Sequence, residues 1–273
     1  HYKVDDKKLK TLKDLDKMNK TMTKSAFDMA SVLFEKVRCG NESRYLKKIG
    51  KIKTPDVSEL FEKVQSTECN IHYCGKNRLQ KVETLLKECL PVGKIKRASK
   101  SPVERMLVEY DTPTVYFLDM PGSSQSIIYS YIPVEALNSR NERNDADLFG
   151  WYFGSGGMSS IMFQEIREFR SLAYSAWGDI VNPMWKNRDK RSFMCAVLST
   201  QGDKTPDAVF VLDSLQKHMP FIANKLGITK KDAYNKLMSN YPTFRSVSEK
   251  IADYRRNGYD EDPTKYVLEY LES

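Results

Sequence analysis

Leu9, Leu12, Leu15, Met18, Met22, Met29, Leu33 and Val37 recur at three- and four-residue steps with one gap. That period lays apolar side chains along one face of a helix. It predicts a helix over 6–38, stopped by Gly40 and Asn41. Thr54-Pro55-Asp56 places a capping residue before a proline at the first helical position, which predicts a second helix over 54–64. The run CNIHYCG, 69–75, reads as a short strand ending in glycine, and NRLQKVETLLKECL after it reads as a helix.

Residues 91–103, PVGKIKRASKSPV, break the periodicity with Pro, Gly, Ser and Lys and predict a linker or domain boundary. Beyond it, TPTVYFLDM (112–120) and QSIIYSYIPV (125–134) read as two strands joined through Pro121-Gly122-Ser123-Ser124. A helix near 145–153, a glycine segment and a helix over 159–170 follow. AYSAWGDIV and SFMCAVLST then read as strands. Thr205-Pro206-Asp207 repeats the cap-and-proline signal and opens a long helix to about Lys225, with Gly227-Ile228-Thr229 separating it from the next of two more helices. Paired strands alternating with helices predict an α+β fold, an antiparallel sheet with helices packed on one face.

The composition, 40% hydrophobic and 29% charged over 273 residues, is that of an ordinary globular chain, and no apolar run approaches the roughly 20 residues that cross a bilayer. No membrane span is expected. The net charge of +8 admits a nucleic-acid or anionic-surface partner. Much of the excess, however, lies in the first 53 residues, where Lys7, Lys8, Lys10, Lys13, Lys17, Lys20 and Lys24 alternate with acids as on a solvated helix face. With no zinc-finger spacing or aromatic RNA-binding motif beside the charge, no nucleic acid is expected. The five cysteines, Cys39, Cys69, Cys74, Cys89 and Cys195, cannot all pair and read as small buried thiols. A chain that starts at His1 rather than Met reads as a fragment or processed form, and an exported bacterial parent fits that start.

The candidate chemistry narrows by elimination. GSGGMSS lacks the Lys-Ser or Lys-Thr of a phosphate loop and the strand that precedes a dinucleotide fingerprint. Its plain reading is a turn between helices, with Ser159 or Ser160 capping the second. His1, His72 and His218 are far apart, without a zincin-like pair or a matching carboxylate, so no metal site is expected within this chain. Arg167 and Tyr174, seven residues apart across a short helix-to-strand corner, remain. Taken alone they fit two readings: a surface ion-pair residue beside a half-buried strand tyrosine, or a fork of donors and a directed phenol facing one cleft. In the second reading the pair holds a peptide carbonyl and the oxyanion formed when water attacks it.

At this segment the sequence resembles a known family. GSGGMSSIMFQEIREFRSLAY, 154–174, is similar to the signature of the insulinase-type (M16) zinc metallopeptidases, the group of mitochondrial processing peptidase and insulin-degrading enzyme. Weaker similarity runs through GNESRYLKKI, TPDVSELFEKV and NIHYCGKNRLQKVETLLKE, and through GITKKDAYNKLMSNY. The resemblance implies a LuxS/MPP-like fold. It also implies two parts: 1–98 as the closing elements of one repeat and 99–273 as most of the next. In such enzymes a His-x-x-Glu-His half holds zinc, and a second half without those ligands supplies an arginine and a tyrosine to the substrate backbone. Arg167 and Tyr174 match that pair, and Gly154, Gly156 and Gly157 match the small-residue loop beside it. Ser171 and Trp177 depart from the commonest residues, and the zinc motif is absent from this sequence.

The resemblance therefore implies a non-catalytic, substrate-binding C-terminal region of a zinc endopeptidase. Its partner is a zinc-bearing half on the same polypeptide or a separate subunit, its ligand a peptide, and the Zn belongs to the partner half. Alone, the chain has nothing to lower the pKa of a water. The family also contains structural core subunits, so an interaction scaffold with a vestigial pair is the alternative.

Overall fold

In a computed structural model of the chain the described residues are 5–21, 25–40, 49–65, 67, 71–90 and 107–273. They fall into two compact units, one drawn from 1–24 and 41–106 and the other from 25–40 and 107–273. The linker over 91–103, Met22, Cys69 and Asn41 lie outside the described residues.

The first unit holds α1 (Asp6–Thr21), and further along the chain α3 (Thr54–Gln65) and α4 (Leu79–Cys89). The cap-and-proline signal at Thr54 opens α3 as expected. The cap itself is the Asp56 carboxylate, which accepts the Lys53 N–H at 2.7 Å. The Thr54 hydroxyl instead donates to Asp6 at the start of α1. The strand expected at 69–75 is absent where it is described: residues 71–74 are irregular, and His72 is exposed.

The single helix expected over 6–38 is two helices. Ser25 begins a new one, α2 (Ala26–Cys39): its hydroxyl accepts the Asp28 N–H at 3.1 Å and the Asp28 carboxylate accepts the Ser25 N–H at 3.3 Å. This reciprocal capping box restarts the helix in the one gap of the apolar period, between Met22 and Met29. Gly40, at φ +65°, closes α2 as expected.

The second unit is built on a three-stranded antiparallel sheet of β1 (Gln125–Val134), β2 (Ala173–Val181) and β3 (Ser192–Gln201), in the order β1-β3-β2. Ile128 faces Leu198, and Ala176 faces the same Leu198 from the other side. Those even-numbered positions look into the main core, where Phe153, Ile161, Met162, Ile166, Ala196, Leu198 and Ala208 are almost fully buried. The α+β class and the antiparallel sheet are as expected. The main core lies under the helices α5 (Arg140–Gly150), α6 (Thr205–Lys217) and α7 (Ala223–Ser239) and the segments between α5 and β2. The odd-numbered face carries one helix as well: Phe34 of α2 stacks on Tyr129 of β1, with ring centroids 4.7 Å apart, while Ser130 next to it bonds Gln216 of α6 at 2.9 Å.

Residues 112–120 are irregular and join no ladder among the described residues, so the first of the two strands expected there is missing. Val115 and Phe117 are 91% and 85% exposed. Strand-forming side chains make a strand only where a neighbour takes the backbone hydrogen bonds.

The helix at Thr205 ends at Lys217, short of Lys225, because Pro220 cannot continue it. The buried Tyr152 hydroxyl fixes that turn, donating to the Pro220 carbonyl and accepting from the Ile222 N–H, both at 2.9 Å. Gly227-Ile228-Thr229, expected to separate helices, lies inside α7, where nothing crowds Gly227. Two helices, α8 (Val247–Asn257) and α9 (Pro263–Glu272), complete the unit, and Leu271 of α9 packs with Leu148 and Ala233 in a second small core. Among the described residues no helix is long and apolar enough to cross a membrane. The buried-thiol expectation holds for Cys39 and Cys195, whereas Cys74 is half-buried and Cys89 exposed.

Candidate functional site at the corner before β2

The segment between α5 and β2 is wound unusually. α5 starts at a Ser139/Glu142 capping box, five residues before the expected position 145, and passes into π-helix over Trp151–Ser155. After a 3-10 turn, Gly157–Ser159, a helix resumes and widens to π over Phe163–Glu168. Single π turns inside helices are rare and often mark functional sites.

The glycines between them have different reasons to be glycine. Gly154 faces the β2 backbone so closely that a Cβ there would stand 2.3 Å from the Gly178 nitrogen. A Cβ on Gly156 would meet the Trp151 carbonyl oxygen at 2.2 Å. Gly157 adopts φ +72° with open space around it. Gly156 and Gly157, with Trp151, Ser155, Ser159 and α7, line a groove of about 180 Å³. The expected Ser160 cap is present, its hydroxyl accepting the Phe163 N–H at 3.4 Å, while Ser159 donates to the Gly156 carbonyl instead. Gln164 ties the loop to the second π turn, its amide reaching the Met158 carbonyl at 3.5 Å and accepting from Lys225 of α7 at 2.6 Å. Lys225 is 8% exposed, and burial pushes its ammonium pKa down, with Glu165 opposing.

Two backbone irregularities then aim Arg167 and Tyr174. Three residues after the π turn comes Ser171, the one non-glycine residue with positive φ (50°) among the described residues. Its N–H bonds the Arg167 carbonyl at 3.0 Å, and the Leu172 N–H bonds the Ile166 carbonyl at 2.9 Å. This is a left-handed helix stop one residue wider than the usual Schellman pair. The corner is pinned to the end of β3 by Thr200, which donates to the Leu172 carbonyl at 2.7 Å. In the next step Ala173 pairs Thr200 and Ser175 pairs Ser199, leaving Tyr174 as the extra residue of a β-bulge. A bulge re-aims the side chain it carries. Tyr174 accordingly points out, 81% exposed, although Ala173 before it is buried.

The result is contact. The Arg167 guanidinium carbon lies 4.6 Å from the centroid of the Tyr174 ring and 4.6 Å from that of Phe163. Its Nε is 3.4 Å from the Glu168 carboxylate. An ion pair this exposed contributes about 0–1 kcal/mol, and each ring contact about 0.5–1 kcal/mol. Among the described residues the Tyr174 hydroxyl meets no hydrogen-bond partner, so the pair presents unused donors to the outside. Phe163 is the member that the sequence reading missed; its only signal is the four-residue step to Arg167 on one helix face.

Ser171 pays for its position with a conformation that non-glycine residues avoid. Ser171→Gly is expected to stabilise the protein by about 0.5–1 kcal/mol, less the entropy glycine adds to the unfolded chain. Denaturant titration measures this; a lower midpoint in the glycine variant would contradict the strained corner.

Asp147 of α5 and Asp179 of β2 are half-buried and act on each other, and Asp147 also interacts with the buried Arg143, which feels Tyr259 and the exposed Arg188 as well. Burial pushes the Asp147 carboxyl up to about 6, the Asp179 charge adds to the rise, and Arg143 opposes it. Asp179 is raised as well, by burial, against the Ile180 N–H and the Ser155 hydroxyl. The folded state thus holds a proton on Asp147 that the unfolded chain releases near pH 4, and stability falls as pH rises from about 4 to about 6. Asp147→Asn is therefore expected to be more stable than the natural chain at pH 7.5, by about 1–2 kcal/mol, with no advantage at pH 4. Urea titrations at the two pH values check it; an equal shift at both would sink the titration argument.

The geometry defines a class: an α+β domain that presents an arginine and a tyrosine at the end of its sheet and holds, among the described residues, no group of three metal-ligating side chains. The chain belongs to the peptidase M16 inactive-domain family, whose profile matches residues 52–235, more than half of its length. Among curated proteins none matches the sequence. A peptidase M16 inactive domain from Pseudomonas fluorescens superposes with a TM-score of 0.63 at 14% identity, over 97% of this chain and 64% of that one. The periplasmic protease PqqL from Escherichia coli gives 0.69 at 13% identity, over 98% and 30%. A variant of the ferredoxin protease FusC, in complex with Arabidopsis ferredoxin, gives 0.57 at 10% identity, over 90% and 28%. The chain thus spans less than two thirds of each of these structures, and the likeness is one of fold.

Proposed function

We propose that the chain is the zinc-free, substrate-binding C-terminal region of an M16-type zinc endopeptidase. It works opposite a zinc-bearing His-x-x-Glu-His half, on the same polypeptide or on another subunit, and it straddles two repeats, 1–98 and 99–273. Membership of the inactive-domain family supports the non-catalytic part of this reading. The observation that carries the rest is the corner itself: a left-handed serine and a β-bulge bring Arg167 against the ring of Tyr174 and leave the phenol facing out with no partner among the described residues.

In this role the fork of Arg167 and the Tyr174 hydroxyl donate to carbonyls of an extended peptide, and one of them to the oxyanion as it develops. Zinc, held by the other half, supplies the activated water. Gly157, which is exposed and unhindered, lets the peptide backbone approach, while Gly154 and Gly156 serve the packing that holds the loop.

Peptide hydrolysis by the isolated chain and by the complete parent, each with zinc and with a chelator, tests the reading. Activity in the parent alone, abolished by chelation, is expected. Activity in the isolated chain would overturn it, and inactivity of both would make the domain a scaffold.

A further inference from the structure

We propose that Phe163 is a positioning residue for Arg167, a role that rests on the substrate-binding reading of the corner. Arg167 has a long, rotamer-rich side chain, 35% exposed, and among the described residues its one ionic contact is the Glu168 carboxylate, 3.4 Å from Nε. Such a group wanders unless something flat holds it. Two rings do so, Tyr174 from β2 and Phe163 from one turn earlier, each 4.6 Å from the guanidinium carbon.

The two rings are not equivalent. Tyr174 is 81% exposed on a bulge and is itself a donor to substrate, so it is free to shift as a peptide arrives. Phe163 is half-buried at the start of the π turn, between the fully buried Met162 and the bonded Gln164, and its backbone N–H is held by Ser160. It is the fixed wall of the arrangement. The π winding, Phe163–Glu168, keeps residues 163 and 167 on one face and leads into the left-handed Ser171. The unusual winding thus places ring, guanidinium and corner together.

A group that only orients a donor matters most when the donor's bond tightens, so its loss appears in kcat more than in KM. In the complete parent peptidase, Phe163→Leu is expected to lower kcat about 5-fold, the weight of one cation–π contact, with KM changed less than about 2-fold. Phe163→Tyr, which keeps the ring, restores kcat. In an Arg167→Ala background Phe163→Leu has no further effect, since there is nothing left to position. A merely structural phenylalanine would lower turnover in both backgrounds, and that result overturns the proposal, as does wild-type turnover of Phe163→Leu beside a crippled Arg167→Ala. If Arg167→Ala itself is fully active, the substrate-binding reading fails first and takes this role with it. Should the leucine variant not fold, Phe163→Met enters the same cycle.

Discussion

Arg167→Ala in the complete parent peptidase is expected to lower turnover on the order of 100- to 1000-fold while leaving the protein folded. The magnitude is that of losing one preorganised oxyanion donor. The separation from stability follows from the surroundings of the side chain. Arg167 contributes one exposed ion pair and two ring contacts, so its truncation costs the fold about 1–3 kcal/mol. Arg167→Lys keeps the charge but not the planar fork, and most of the loss is expected to remain. Steady-state kinetics of variants matched for thermal midpoint decide the matter. Full turnover in a folded Arg167→Ala protein would remove the catalytic role and leave the exposed pair as surface.

How legible this was in the sequence depends on which signals are local. The strands β1, β2 and β3 and the start of α6 were readable because alternation and a proline-marked start are written in consecutive residues. The break before α2 was not, because its mark in the apolar pattern is a single missing step between Met22 and Met29, and the period resumes in phase beyond the Ser25/Asp28 box. Residues 112–120 show the opposite failure: the pattern of a strand without a described neighbour to make it one. At the corner, residue types and spacing singled out Arg167 and Tyr174, but not whether they meet. That depends on a serine in a glycine-like conformation, a residue squeezed out of the ladder and a helix that widens by one residue per turn. None of these has a local code, and each is imposed by packing between the π segments and β2. The family resemblance supplied the pairing that the periodicity of the chain leaves open.

That packing sets the second large effect. Gly154→Ala is expected to destabilise the protein by about 3 kcal/mol, at the upper end of what one added methyl costs in a packed interior. The new Cβ would lie 2.3 Å from the nitrogen, 2.7 Å from the oxygen and 2.8 Å from the α-carbon of Gly178. These are backbone atoms, so no rotamer change makes room; the π turn or β2 must move. Movement there is opposed from beneath, because the space at Gly178 is itself closed: a Cβ built there would stand 2.6 Å from the Phe153 ring and 2.8 Å from the Met162 sulfur, both from fully buried side chains. Gly157→Ala is the control. It places a methyl in open space, and its cost is the left-handed backbone alone, about 1 kcal/mol. The two variants therefore separate the parts of the glycine segment: Gly154→Ala lowers stability and activity together, whereas Gly157→Ala keeps most of the stability and, if peptide runs past the loop, raises KM. Denaturant titration of both, followed by kinetics on Gly157→Ala, measures the division. A Gly154→Ala protein as stable as the natural chain would show that helix and strand are not in this contact, and the corner built on them would have to be redrawn.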